Sequence, residues 1–112
     1  MKAFWDATGG HWMKQSLVGK LYGIMVSTGT QHGGQETTAL ATIPIMSHHG
    51  MIFVPTGFTH PTTSELEEVA GGSAYGATTI VGPIGQRMPS TKELELAEHH
   101  GAYFGKYLKR LN

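Results

Sequence analysis

Leu21-Tyr22-Gly23-Ile24-Met25-Val26-Ser27, followed at once by Thr28-Gly29-Thr30-Gln31-His32-Gly33-Gly34, decides how this chain folds. The first stretch is an apolar run with a β-branched end. That composition suits a strand buried on both faces of a parallel sheet. The second stretch is a loop of glycines and short polar residues leading into a helix. The helix is predicted over Gln35 to His49, with Ala39, Leu40, Ile43 and Met46 on one side. Pro44 lies inside it, removes the bond to the Leu40 carbonyl, and costs about 3 kcal/mol or forces a kink. Gly50 ends the helix. Met51 to Pro55 is a second short apolar strand. Strand, helix and strand make a βαβ unit of roughly 30 residues, whose crossover should be right-handed.

Upstream, residues 2–8 read as the end of a helix stopped by Gly9-Gly10, and residues 11–19 as a loop. Downstream, residues 56–89 read as loop with a helical turn at Thr63 to Val69. Ser90-Thr91-Lys92-Glu93 is a capping box opening a final helix. In that helix Leu94, Ala97, Gly101, Phe104, Leu108 and Leu111 recur at spacings of three and four, a stripe expected to pack on a sheet. Two parallel strands with two full helices do not close a core. The strand at 21–27 calls for neighbours on both sides, and only 51–55 supplies one. The other edge would expose unpaired N–H and C=O groups, and two-stranded sheets are marginal alone. Further strands are therefore expected before residue 1.

Composition narrows the function classes. The 112 residues suffice for one domain. Eight Lys+Arg balance eight Asp+Glu, giving a formal charge of zero. That balance provides neither the basic stripe of a nucleic-acid binder nor a polybasic membrane patch. No apolar run approaches spanning length, and residues 1–6 lack the apolar core of a signal peptide. With no cysteine, disulfides, thiolate zinc sites and thiolate-held iron–sulfur clusters are excluded. The composition fits a soluble protein of a reducing, cytoplasmic compartment. Seven histidines raise the question of a metal. The adjacent pairs His48/His49 and His99/His100 diverge by about 100° on a helix, so neither is a ready chelate. No His-x-x-x-His appears, and no metal site is expected.

The order Asp6-Ala7-Thr8-Gly9-Gly10-His11-Trp12, then Ser27-Thr28-Gly29-Thr30-Gln31-His32-Gly33-Gly34-Gln35-Glu36-Thr37-Thr38, then His48-His49-Gly50-Met51, resembles the WrbA family of flavodoxin-like quinone oxidoreductases. Gly71-Gly72-Ser73-Ala74-Tyr75-Gly76-Ala77 and Arg87-Met88-Pro89-Ser90 continue the pattern, so the resemblance spans essentially the whole chain. It implies an α/β, flavodoxin-like parallel sheet of order 2-1-3-4-5 with helices on both faces. FMN would lie at the carboxyl ends of the strands. Residues 1–112 would form the C-terminal half of that single domain, with strands 4 and 5 and their helices. The phosphate-binding loop and the loop after strand 3 would belong to the other half. Departures are Gly82-Pro83-Ile84-Gly85-Gln86-Arg87, where the family usually has Gly-Asp-Gly-Ser-Arg, Phe58 where it often has Tyr, and Pro44.

The resemblance assigns Ser27, Thr28, Gly29, Thr30, Gln31, His32 and Gly33 to flavin contact. Glycines let a backbone approach a ligand closely, and free N–H groups before a helix favour negative charge. For a flavin that charge develops on the pyrimidine edge when the ring is reduced. Spacing alone leaves the segment equally an ordinary βα turn; it is neither a Walker A motif nor a Gly-x-Gly-x-x-Gly fingerprint. His48 has a family counterpart beside the flavin, where it positions substrate or donates a proton to a reduced quinone. The helix dipole alone also favours a histidine there. Trp12 has a counterpart lining the substrate pocket and Phe58 would form another wall; an interface or core role is the commoner use of either ring. The family activity is FMN-dependent two-electron reduction of quinones by NAD(P)H in a homotetramer whose active site is completed across subunits. The alternative is a truncated, non-catalytic flavodoxin-like module that acts in subunit association without flavin. The family's historical link to a tryptophan repressor finds no support in the neutral charge.

Overall fold

The structure, a computed structural model, describes residues 1–111. Two short helices, α1 (Lys2–Asp6) and α2 (Gly9–Met13), open the chain. The Gly9-Gly10 pair does not simply stop the first helix, as expected; it begins the second. The sequence expectation of a loop at 11–19 is corrected accordingly at its start.

The run at 21–27 is not one strand. It divides into β1 (Leu21–Tyr22) and β2 (Met25–Thr28) around Gly23-Ile24. β1 pairs in parallel with β3 (Ile52–Phe53), Leu21 opposite Ile52. β2 pairs in parallel with β4 (Ala77–Ile80), Met25 opposite Ala77 and Thr28 opposite Ile80. β4 falls within residues 56–89, where the sequence predicts loop. Its four residues, Ala-Thr-Thr-Ile, are too short and too polar to announce a strand, yet Ala77, Thr78 and Ile80 are buried.

The carbonyls of Lys20, Tyr22 and Thr28 accept from the N–H groups of Ile52, Val54 and Val81 at 2.8, 2.9 and 2.8 Å. In extended chain, carbonyls two residues apart face the same edge. β3 and β4 thus lie in tandem along one edge of the β1–β2 line, with residues 54–76 inserted between them. The single neighbour expected at 51–55 becomes two successive segments. Among the described residues the opposite edge is unpaired, and Met25 on it is 73% exposed. The fold is α/β with parallel strands, as expected of part of a flavodoxin-like sheet.

Helix α3 (Gln35–His48) runs through Pro44 without a break and ends at Gly50, whose φ of +69° is the left-handed cap glycine tolerates. It packs on β2 and β3. Gln35, Ala39 and Met46 are buried, whereas Leu40 is exposed and does not belong to the inner face. The insertion carries a 3-10 turn at Pro61–Ser64 rather than a turn at 63–69. It is tied to the last helix, α4 (Thr91–Leu111), by Thr59–His99 at 2.7 Å, by the Lys92 ion pairs with Glu65 and Glu67, and by Ser90–Glu68.

The capping box forms as written. Ser90 N–H donates to Glu93 Oε2 at 2.8 Å and Glu93 N–H to Ser90 Oγ at 3.3 Å. The stripe expected to face the sheet does so only in part, with Ala97 and Phe104 half-buried beside Gly23 and Met25. Glu93, Leu96 and His100 are the buried positions of α4, and Leu94, Leu108 and Leu111 are exposed. The reason is where partners exist. β4 and the insertion meet the 93/96/100 face, while Leu94, Ala97, Gly101 and Phe104 border grooves beside Gly23, Met25 and Val26 near the unpaired edge.

Candidate functional site

The turn from Thr28 to Gly33 leaves the carboxyl end of β2, the rim expected for a ligand in an open parallel sheet. Its interior is closed on itself. Thr28 Oγ1 donates to the Thr30 carbonyl at 2.8 Å, and Gly33 N–H donates to the same carbonyl at 3.2 Å. A Cβ at Gly33 would press on Thr28 Cβ, and Gly34 has φ +90°. Both positions therefore need glycine. Gly29 sits against Gly82 and Pro83, so the loop after β4 walls one side of the turn.

The outer surface of the turn is unsatisfied. Among the described residues, the N–H groups of Gly29, Thr30, Gln31 and His32 donate to no acceptor within the chain, and Thr30, Gln31 and His32 are exposed. Consecutive free amides ahead of α3 form a donor array for an electronegative edge. Ser27, also exposed, adds a hydroxyl at the last turn of β2. The residues present thus fit the pyrimidine edge of a flavin.

Gln35, which sequence reading took only as the first helical residue, proves central. Its side-chain N–H groups donate to Thr28 Oγ1 at 3.0 Å and to the Thr79 carbonyl at 3.2 Å, and its Oε1 accepts from Thr78 Oγ1 at 2.7 Å. A polar residue next to glycine at a helix start reads as solvated, so no local signal reveals these partners.

His48 and Trp12 share a cleft with each other but not with the turn. Both line a cleft of about 700 Å³ between α1–α2 and the outer side of α3, with Trp5, Thr42 and Ile45. His48 Nδ1 donates to the Pro44 carbonyl at 2.8 Å, leaving Nε2 for a ligand. Beside it, buried His49 donates from Nε2 to Thr8 Oγ1 at 2.8 Å, because the Thr8 hydroxyl proton goes to the Trp5 carbonyl. That bond ties α1 and α2 to the end of α3. The turn lies at the start of α3 and His48 at its end, so the 14 residues of the helix separate them by roughly 20 Å. Phe58 is 71% exposed between β3 and the 3-10 turn and does not line the cleft. The candidate residues therefore form separate places on one chain: the turn at the carboxyl rim, the Trp12–His48 cleft at the far end, and Phe58 alone.

A second polar centre holds the rim together. Glu93, 3% exposed, accepts from the N–H groups of Gly71, Ile80 and Ser90 at 2.7, 3.1 and 2.8 Å and from Thr79 Oγ1 at 2.7 Å. Arg87 Nη1 lies 3.0 Å from both of its oxygens. Burial alone pushes this carboxyl up, but the donors outweigh burial and bring it down to about 2. The cluster joins the insertion, the end of β4, the 82–87 loop and α4. No group of three or more metal-ligating side chains occurs among the described residues, and no described helix is long and apolar enough to cross a membrane.

No family model matches the chain. Individual proteins do. It is 51% identical over 111 residues to a quinone-oxidoreductase, QR2, of Triphysaria versicolor, covering 98% of this chain and 54% of that one. It is 50% identical over 111 residues to an NAD(P)H dehydrogenase (quinone) of Solidesulfovibrio magneticus, covering 99% and 55%. It is 51% identical over 105 residues to the NAD(P)H quinone oxidoreductase PST3 of Candida albicans, covering 92% and 53%. The chain spans about half the length of these curated relatives.

Proposed function

We propose that residues 1–112 are the C-terminal half of one flavodoxin-like domain of the WrbA kind, and that the intact protein is a cytoplasmic enzyme reducing quinones with NAD(P)H through FMN. The observation that carries this reading is the row of unpaired N–H groups from Gly29 to His32 at the carboxyl rim of β2. Relatives of about twice the length named as NAD(P)H quinone oxidoreductases support the reaction class. The unpaired edge of β1–β2, with grooves along it, supports the idea that more strands complete the sheet.

When bound, FMN would supply the two-electron transfer from NAD(P)H to the quinone. The chain's own part is to hold and orient. The amides of Gly29, Thr30, Gln31 and His32 donate to the pyrimidine edge, with the hydroxyls of Ser27 and Thr30 beside them. Gly33 keeps the turn tight. Thr28 is spent on the turn's interior and contributes shape rather than a contact.

His48 and Trp12 stand too far from their own turn to serve its ligand. They act on a flavin held by a neighbouring chain, which makes a homo-oligomer, a tetramer by resemblance, a requirement of the reading. Trp12 then offers its indole to a planar quinone, and His48 Nε2 carries the proton for a reduced quinone oxygen. Phe58 supplies a further wall.

The test is direct. The purified chain is titrated with FMN, following flavin absorbance and fluorescence, and quinone-dependent NAD(P)H oxidation is then assayed for the chain and for the longer protein containing it. FMN binding by the longer protein, weakened when Thr30 and Gln31 are both replaced by proline to remove two donors, is the expected result. A longer protein that binds no FMN and consumes no NAD(P)H would overturn the proposal and leave an association module.

A further inference from the structure

A directed chain of hydrogen bonds passes through the one buried amide side chain near the turn. Gly72 N–H donates to Thr78 Oγ1 at 2.5 Å, and Thr78 Oγ1 donates to Gln35 Oε1 at 2.7 Å. Gln35 Nε2 donates to Thr28 Oγ1 at 3.0 Å, and Thr28 Oγ1 donates to the Thr30 carbonyl at 2.8 Å. Each hydroxyl has one proton. The Thr28 proton goes to a carbonyl, so Thr28 must accept from Gln35. The Thr78 oxygen receives a backbone N–H, so its own proton goes to Gln35. Both ends of the amide are therefore fixed by their neighbours, and reversing it would set acceptor against acceptor at the Thr79 carbonyl and donor against donor at Thr78. Gln35 is 8% exposed, which makes an unmade bond there costly.

We infer that Gln35 is the positioning residue of the Thr28–Gly33 turn. It reaches no ligand itself. By donating to Thr28 it holds that hydroxyl on the Thr30 carbonyl, which turns this carbonyl inward and leaves the amides of Gly29 to His32 as an uninterrupted donor row. Through Thr78 the same amide ties the turn to Gly72, where the insertion returns to the sheet. The shape of the turn and the seating of residues 71–73 are one arrangement. The inference rests on the flavin reading only for the identity of the ligand; the ordering of the turn is measurable without one.

Two variants of similar size separate hydrogen bonding from packing. Gln35→Met keeps the length and loses every bond. Gln35→Glu loses both donations when ionised and regains one of them when protonated, since a carboxylic acid has a single O–H, while its other oxygen accepts from Thr78 in either state. Its neighbours Thr28, Thr78 and the Thr79 carbonyl are uncharged. The nearest carboxylate on another element is Glu93, bonded to Thr79, and Glu36 follows on α3. Arg87 pairs with Glu93 and offsets its charge, so burial and Glu36 are what oppose ionisation. The variant is therefore more protonated at about pH 5 than at about pH 8.

The measurement is amide hydrogen exchange by NMR at Gly33 and Gly72, normalised for intrinsic rates, with amides of α4 as the control for global stability. The expected result is a loss of protection of about tenfold at both glycines in Gln35→Met. In Gln35→Glu at pH 8 the same loss is expected at Gly33 alone, because a carboxylate still accepts from Thr78 and keeps Gly72 protected, and part of the Gly33 protection returns at pH 5. FMN affinity, measured in parallel, should fall with the same pH pattern. Unchanged Gly33 and Gly72 protection in Gln35→Met overturns the inference. Should that variant not fold, equal Gly33 protection of Gln35→Glu at the two pH values, or its failure to fold at pH 5, does so instead. Wild-type protein that binds no FMN removes the flavin reading alone, because the exchange data decide Gln35 independently.

Discussion

Glu93 shows how a residue can be legible in part. Its place three after Ser90 announces a capping box, and the box forms. The bonds to Gly71, Thr79, Ile80 and Arg87 were not legible, because those partners come from loops and a strand whose approach no local pattern encodes. The same is true of Gln35, whose partners lie seven and 43 residues away. A pH prediction follows from Glu93. Its folded carboxyl is depressed to about 2 from 4.5. A depressed carboxyl contributes stability that is fully present above the unfolded value and is lost as pH falls through the folded one. Between pH 4.5 and about 2 the protein should therefore lose about 3 kcal/mol through this group. Glu93→Gln keeps the shape but turns a donor toward Thr79, Ser90 or Arg87. At pH 7 it should be less stable than wild type by roughly 3 kcal/mol, and its urea midpoint should be nearly flat over that acid window. A wild-type midpoint that does not move between pH 4.5 and 2 would remove Glu93 as the anchor of the rim.

Among the elements, those with a strong local cause were read correctly and those set by neighbours were not. α3 is stopped by Gly50 and α4 is started by its cap, as their residues dictate. Pro44 neither ends nor breaks α3. β4 escaped notice because four residues carry too little pattern, and the buried face of α4 was misplaced because burial follows the available partner rather than the longest apolar stripe. Two glycines test this distinction between local and tertiary control. Gly101 lies within α4, and a Cβ there meets nothing within 4 Å. Only helix propensity is at stake, so Gly101→Ala should stabilise the protein by about 1 kcal/mol. Gly76 precedes β4, and a Cβ there would overlap the backbone carbonyl of Ile24, which has no rotamer by which to move away. Gly76→Ala should cost about 3 kcal/mol and uncouple β2 from β4. Thermal denaturation of the two variants, one moving up and the other down, checks both; a neutral Gly76→Ala would mean that β4 does not sit against Ile24.

At the scale of the molecule, the open edge is what the sequence anticipated and the structure retains. The run at 21–27 calls for neighbours on both sides, and β3 and β4 together occupy one side of it while, among the described residues, the other stays unpaired. The separation of the turn from His48 follows from the helix predicted over Gln35 to His49, whose length alone holds its two ends roughly 20 Å apart. An unpaired parallel edge with exposed Met25, bordered by Leu94 and the grooves along Ala97, Gly101 and Phe104, is a surface that recruits other strands or apolar faces. The chain by itself should therefore self-associate as its concentration rises, seen as an increasing weight-average mass in sedimentation equilibrium. Met25→Lys places a charge on that edge without touching the paired side of β2. It should reduce the association while leaving the urea midpoint of the dilute protein within about 0.5 kcal/mol of wild type. Should the wild-type chain instead stay monomeric at every concentration, the edge would have to be covered by some rearrangement of α1, α2 or the insertion, and the case for additional strands completing this sheet would lose its physical ground.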